Sequence, residues 1–168
     1  MKVKEATTAA EIFAAGQLIY KCYQEEGLTI EPTFNFPLRV FISYDNSTVF
    51  STVSLIEDIG ILPADTSFHD ELYSLRQTAR ISQIGFLANQ NKKASLVKLF
   101  QCMIAIAKSI VDVAVIITHP SHAHFYQKVC AFELIGNERQ YSVGKPGVLM
   151  SLDLHNLQAH KNYEKFFK

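Results

Sequence analysis

Residues 119–136 read HPSHAHFYQKVCAFELIG and gather the side chains best suited to chemistry into one stretch. Three imidazoles, His119, His122 and His124, fall within six residues. Imidazole is both a metal ligand and the side chain that titrates nearest neutral pH. Their spacing straddles a strand end, a proline and a helix start, so the three rings should diverge. No Cys or carboxylate stands beside them to complete a tetrahedral set. The expectation is that no metal binds here. Phe125 and Tyr126 follow directly, an aromatic pair that suits the wall of a substrate pocket or an ordinary core position.

The elements that must position these residues follow from periodicity. Thr8 and Glu11 form a capping box, with Ile12, Ala15, Ile19 and Tyr23 at helical spacing behind it and Gly27 as a stop. FPLRVFISYD and TVFSTVSLIED flank Asn46-Ser47 as two antiparallel strands, and Pro63 closes a short loop. Ser67 opens a second amphipathic helix, with Phe68, Leu72 and Leu75 on one side. ARISQIGFLA is apolar on nearly every residue from Ile84 onward, as in a central strand. After the polar loop NQNKKA, Ser95 caps SLVKLFQCMIAIAKSI, apolar almost all round and therefore buried. VDVAVIIT reads as a strand, SHAHFYQKVC as a short helix, FELIG and GVLMSLDL as strands, and 156–168 as a polar tail. This order predicts an α/β (α+β) fold with an antiparallel first half and a βαβ crossover in the middle.

Bulk composition bounds the rest. A chain of 168 residues with 48% hydrophobic and 19% charged residues is expected to be one globular domain, 1–168, with its core over about 8–155. Formal net charge is zero, which offers no overall basic footprint for nucleic acid. The charge is uneven: residues 1–84 carry six Lys/Arg against eleven Asp/Glu, and 85–168 carry ten against five. A basic second half could face an acidic carrier protein or a phosphorylated cofactor. Cys22, Cys102 and Cys130 each sit inside an apolar run, as reduced core thiols do. The N-terminus lacks a secretion pattern and no run of ~18 apolar residues exists. A cytoplasmic protein without a membrane segment is expected.

The run FYQKVCAFELIG resembles the FY-x-x-x-x-G-F-x-x-x-G segment of the GNAT acyltransferase superfamily. More narrowly, LIEDIGILPADTSFHDEL, LRQTARISQIGFLA, HPSHAHFYQKVCAFELIGNERQY and KPGVLMSLDL are similar, in order and spacing, to the N-acyl amino acid synthases and their acyl-homoserine lactone synthase relatives. The resemblance spans roughly residues 10–155. It implies a GNAT-like fold whose central mixed, largely antiparallel sheet splays between strands 4 and 5, here ARISQIGFLA and VDVAVIIT. It further implies no tightly bound cofactor. An acyl thioester, carried by acyl carrier protein or coenzyme A, would be the donor, and a small-molecule amine such as an amino acid the acceptor. By the same resemblance Tyr126 would protonate the leaving thiolate, a task its ordinary pKa of ~10 suits. Phe86, Leu87 and Ala88, with Phe125, would line the donor site.

Two departures from the family pattern bear on mechanism. The synthase branch carries E-x-x-R-L-A in its fourth strand, where this chain reads Gln83-Ile84-Gly85-Phe86-Leu87-Ala88. An amide cannot accept an amine's proton. The enzyme could then orient an already neutral amine, or use His119 or Glu57 as base. Alternatively the domain binds an acyl carrier protein, lipid or protein partner without catalysis. The donor loop departs as well: Gln90-Asn91-Lys92-Lys93-Ala94-Ser95 keeps the glutamine and the small final residue but lacks both glycines of the pyrophosphate wrap. Lys92 and Lys93 would supply charge in their place. Ala131 replaces the glycine expected before Phe132, a change that matters only if the position needs positive φ.

Overall fold

The computed structural model describes residues 1–27, 36–46, 48–90, 93–141 and 145–159. Eight strands and four helices follow the order β1 (Lys2–Glu5), α1 (Ala9–Glu25), β2 (Leu38–Asp45), β3 (Thr48–Glu57), α2 (Asp65–Arg76), β4 (Ile81–Asn89), α3 (Lys93–Ala107), β5 (Val113–Thr118), α4 (Pro120–Val129), β6 (Glu133–Leu134), β7 (Arg139–Tyr141) and β8 (Lys145–Asp153). The sheet is ordered β1-β2-β3-β4-β5-β8-β6, with β7 on β8. β4 and β5 run parallel, joined through α3, whereas β1–β2, β2–β3, β5–β8, β6–β8 and β7–β8 are antiparallel.

The chain divides into two compact units, residues 1–56 with 85–106, and 57–84 with 107–168. In the first unit, α1 begins at the expected capping box: the Thr8 hydroxyl accepts from Glu11 N–H and the Glu11 carboxylate accepts from Thr8 N–H. Gly27, at φ +69°, ends it with its N–H on the Gln24 carbonyl. Leu18 and Ile19 pack with Ala88, against Tyr23, Val49 and Phe86, while Ala15 packs with Ala6, Val40 and Ile42. In the second unit, Arg76 of α2 donates to both Asp58 and Asp65 at 2.7–3.0 Å. Asp65 in turn accepts from Leu62 N–H and Asp58 from Gly60 N–H, so one guanidinium ties the β3–α2 loop to the helix it precedes.

Several boundaries differ from the sequence reading. β1 was not foreseen, since four residues of mixed polarity carry no alternation strong enough to mark a strand; its presence makes ARISQIGFLA and VDVAVIIT the fourth and fifth strands in chain order. Ser67 does not open α2. The helix starts at Asp65 without a side-chain cap and breaks at Phe68 (φ −130°, ψ 38°), and the Ser67 hydroxyl donates instead to the Gln140 carbonyl. Ser95 is not a cap either. It lies inside α3, fully buried, its hydroxyl paired with Ser51 and near Asn89. FELIG reduces to the two-residue β6, and β7 is an additional short strand. Of the polar tail, 157–159 form a 3-10 turn, and 160–168 lie outside the described residues, as does Ser47 of the hairpin.

Ala131 stands at φ +64° after α4, where the Cys130 and Phe132 N–H groups both reach the Tyr126 carbonyl at 3.1 Å. The left-handed conformation costs a residue with a Cβ ~1–2 kcal/mol. Glycine removes that cost but adds unfolded-chain entropy of about 0.5–1 kcal/mol. Ala131→Gly is therefore expected to stabilise the fold by about 0.5 kcal/mol, read as a rise in the urea midpoint at unchanged slope.

Candidate active site

β4 carries the features that could organise an acyl-transfer site. Its parallel ladder with β5 runs from Ile81↔Val113 to Ile84↔Ile116. Immediately afterwards come Gly85, where a Cβ would stand 2.9 Å from Ile56 Cδ1, and Phe86 at φ +48°. A left-handed phenylalanine in a strand persists only where its surroundings hold it. Here the partly buried side chain packs on the Leu18, Ile19 and Ala88 cluster. Leu87 is half-buried, Ala88 is buried, and Gln90 donates its N–H to the Phe50 carbonyl.

Gln83 is 3% exposed, and its amide oxygen accepts from Ala64 N–H at 2.9 Å. Its other hydrogen-bond partner is the Tyr141 hydroxyl. Burial raises the Tyr141 pKa and the Gln83 hydrogen bond offsets part of that rise, which leaves a neutral phenol at pH 7. Gln83 is thus an amide joining the start of α2 to β7.

α4 presents the opening stretch. His119 is its N-cap: the ring Nδ1 accepts from Ser121 N–H at 3.3 Å and lies 2.8 Å from the Ser121 hydroxyl. With Nδ1 committed as acceptor, the neutral ring carries its proton on Nε2 and presents a donor, so acting as base would require giving up the cap. His119, His122 and His124 are all exposed, with the first two rings 6.1 Å apart at 62°. Among the described residues no group of three or more His, Cys, Asp or Glu is placed to hold a metal ion.

Tyr126 is 7% exposed and packs edge-on against Phe125 at 5.5 Å and Phe132 at 5.7 Å between ring centroids. Burial pushes its phenol above its ordinary pKa, with the nearby Cys130 thiol adding to the effect, so it holds its proton throughout the neutral range. The same burial pushes Cys130 up to about 12, which removes it as a nucleophile. Phe125 remains 45% exposed and Glu57 is exposed at the end of β3.

The expected site residues therefore fall into local groups. Phe86 and Ala88 share the α1 cluster, Ser95 joins Ser51 and Asn89, Gln83 joins Ala64 and Tyr141, and His119, Phe125 and Tyr126 share α4. Lys92 and the side chains of Lys93 and Ala94 lie outside the described residues. Sequence reasoning did not place Tyr141 beside Gln83 or Arg139 against α2. Both belong to a three-residue strand too short to show a period, and only the β7–β8 register brings them to the sheet.

The model of the N-acyl amino acid synthase FeeM family matches residues 14–153. No curated protein matches. Among solved structures, FeeM, an N-acyl amino acid synthase from uncultured soil microbes, is similar with TM-score 0.88 and 20% identity over 99% of this chain and 98% of that one. The coenzyme A-dependent acyl-homoserine lactone synthase MesI gives TM-score 0.74 and 9% identity over 99% and 95%. An acyl-CoA N-acyltransferase from Pseudomonas aeruginosa gives 0.67 and 10% over 89% and 96%. At these identities the structural likeness speaks for the fold, which is that of the GNAT N-acyltransferases. The family match over most of the length carries the rest: the chain belongs to the N-acyl amino acid synthase family of N-acyltransferases.

Proposed function

We propose that the chain moves a fatty acyl group from an acyl thioester, on acyl carrier protein or coenzyme A, to the amine of an amino acid. The observation that carries this reading is the family match across residues 14–153, and the FY segment that resembles the GNAT pattern supplies Tyr126. The amine nitrogen attacks the thioester carbonyl carbon, the N–C bond forms and the C–S bond breaks. Tyr126 gives its hydroxyl proton to the departing thiolate and is restored by the proton the nitrogen loses, relayed through water. Burial keeps the phenol protonated until the thiolate forms, and makes it a weaker acid than a free tyrosine. The donor loop, without glycines for a tight pyrophosphate wrap, supports a weakly held donor and leaves carrier protein as a candidate carrier. Among the described residues no helix is long and apolar enough to cross a membrane, which fits a reading in which the protein works in the cytoplasm.

Expression in a bacterial host followed by mass spectrometry of the lipid extract tests this. A new N-acyl amino acid, absent from the empty-vector control, is the expected result, and its mass reports chain length and acceptor together. A second reading, a silent module that binds an acyl carrier protein, lipid or protein partner, is favoured by Gln83 and Phe86, neither of which can move a proton. If the native chain yields no product and Gln83→Glu with Phe86→Arg does, the second reading holds.

A further inference from the structure

Strand register sets Gln83 and Tyr141 on one face of the sheet. Gln83 lies opposite Val115 and so shares a face with Ile117; Ile117 lies opposite Leu149, two residues from Gly147; Gly147 lies opposite Arg139, two residues from Tyr141. The contacts agree with the register. A Cβ on Gly147 would stand 2.8 Å from Ile117 Cγ2 and 3.1 Å from Tyr141 Cβ, so the bare backbone there is what lets the Tyr141 side chain lie across β8.

β7 is fastened to α2 from the same face. Arg139 lies over the Phe68 ring at 5.2 Å, donates to the Ser67 carbonyl and the Glu71 carboxylate at 2.5 Å, and still leaves 40% of its side chain exposed. Gly136 permits the close packing, since a Cβ there would meet Phe68 at 3.2 Å and Glu71 at 3.4 Å. Arg139 and Tyr141 are two positions apart on a strand, ~7 Å along the chain. Gln83 accepts from Ala64 N–H through its oxygen and shares a hydrogen bond with the Tyr141 hydroxyl. The result is a fixed guanidinium with open surface on the same strand face as a phenol held by Gln83. That pair of donors, one charged and one neutral, matches the two oxygens of a carboxylate.

We propose that Arg139 and Tyr141 hold the carboxylate of the amine acceptor, with Gln83 as the positioning residue that turns the Tyr141 hydroxyl toward it. The assignment rests on the acyl-transfer reading and deepens it. It gives the buried Gln83 amide a role in holding the phenol in place. It also names what the acceptor must carry: a free carboxylate near the reacting amine.

Steady-state kinetics with palmitoyl-CoA and palmitoyl-acyl carrier protein, over the twenty amino acids and their carboxamides, test it. The wild type should prefer each productive amino acid to its carboxamide. Tyr141→Phe should raise KM for the amino acid at least tenfold, with kcat and the donor KM within about twofold and a smaller rise for the carboxamide. Gln83→Met should shift the amino-acid KM in the same direction and add nothing in the Tyr141→Phe background, a non-additivity that separate structural defects would not produce. An unchanged amino-acid KM in an active Tyr141→Phe, or an equal loss on the carboxamide, overturns the assignment and leaves acyl transfer standing. A wild type that acylates nothing with either donor sinks both.

Discussion

Arg76→Leu should lower stability by about 3 kcal/mol, because it strands two carboxylates that the fold has already taken largely out of water. The side chains of Arg76, Asp58 and Asp65 are 16%, 12% and 9% exposed. For a chain of this size that loss corresponds to a drop of roughly 6–12 °C in Tm. Burial alone would raise the Asp65 pKa, but hydrogen bonds from Arg76 and the Leu62 N–H, with the Arg76 charge, outweigh it and hold the carboxyl below its ordinary value. A depressed folded-state pKa contributes stability that is fully present above the unfolded carboxylate value of ~3.9 and is lost as pH falls through the folded value. The difference between wild type and Arg76→Leu should therefore be largest near neutral pH and shrink below about pH 4. Thermal unfolding of both proteins from pH 7 to pH 3 gives the answer, and a difference that stays constant with pH would mean that the guanidinium acts by packing alone. The clamp also reaches the candidate site: Ala64, whose N–H orients Gln83, directly precedes Asp65.

Tyr126→Phe should cut acyl transfer at least tenfold, ~1.4 kcal/mol or more of transition-state stabilisation, while stability changes by less than about 1 kcal/mol. The ring contacts with Phe125 and Phe132 are kept in phenylalanine, and the helix-end bonds at this position go to the backbone carbonyl rather than the hydroxyl. Single-turnover acyl transfer separates the chemical step from product release. His119→Asn is the companion variant, since asparagine retains an N-cap oxygen while removing the imidazole. Turnover unchanged in Tyr126→Phe but lost in His119→Asn would move the proton transfer to the histidine, whose Nδ1 is held as acceptor by the cap.

Much of this protein is legible in the sequence because the forces involved are local. The capping box at Thr8 and Glu11, the left-handed stop at Gly27 and the long apolar strand around Ile84 need only their own neighbours to be recognised. The FY segment carries the resemblance to the GNAT superfamily, and only several stretches taken together, in order and spacing, pointed to the family. Ser67 and Ser95 misled for the same local reason. A serine before an apolar run reads as a cap, but here each hydroxyl found a distant partner, Gln140 or Ser51, once the sheet had formed.

The roles of the site residues were decided elsewhere. Whether Gln83 is a failed base or a hydrogen-bonding amide depends on Ala64, nineteen positions earlier, and on Tyr141 in a strand of three residues. The positive φ at Phe86 and Ala131, at two positions where side chains disfavour it, is visible only in the folded backbone. Residue types and their spacing determined which chemistry this chain belongs to. Which hydroxyl keeps its proton, which amide faces which phenol and which guanidinium stays open were settled by tertiary contacts, because burial and hydrogen-bond partners come from residues far apart in the chain.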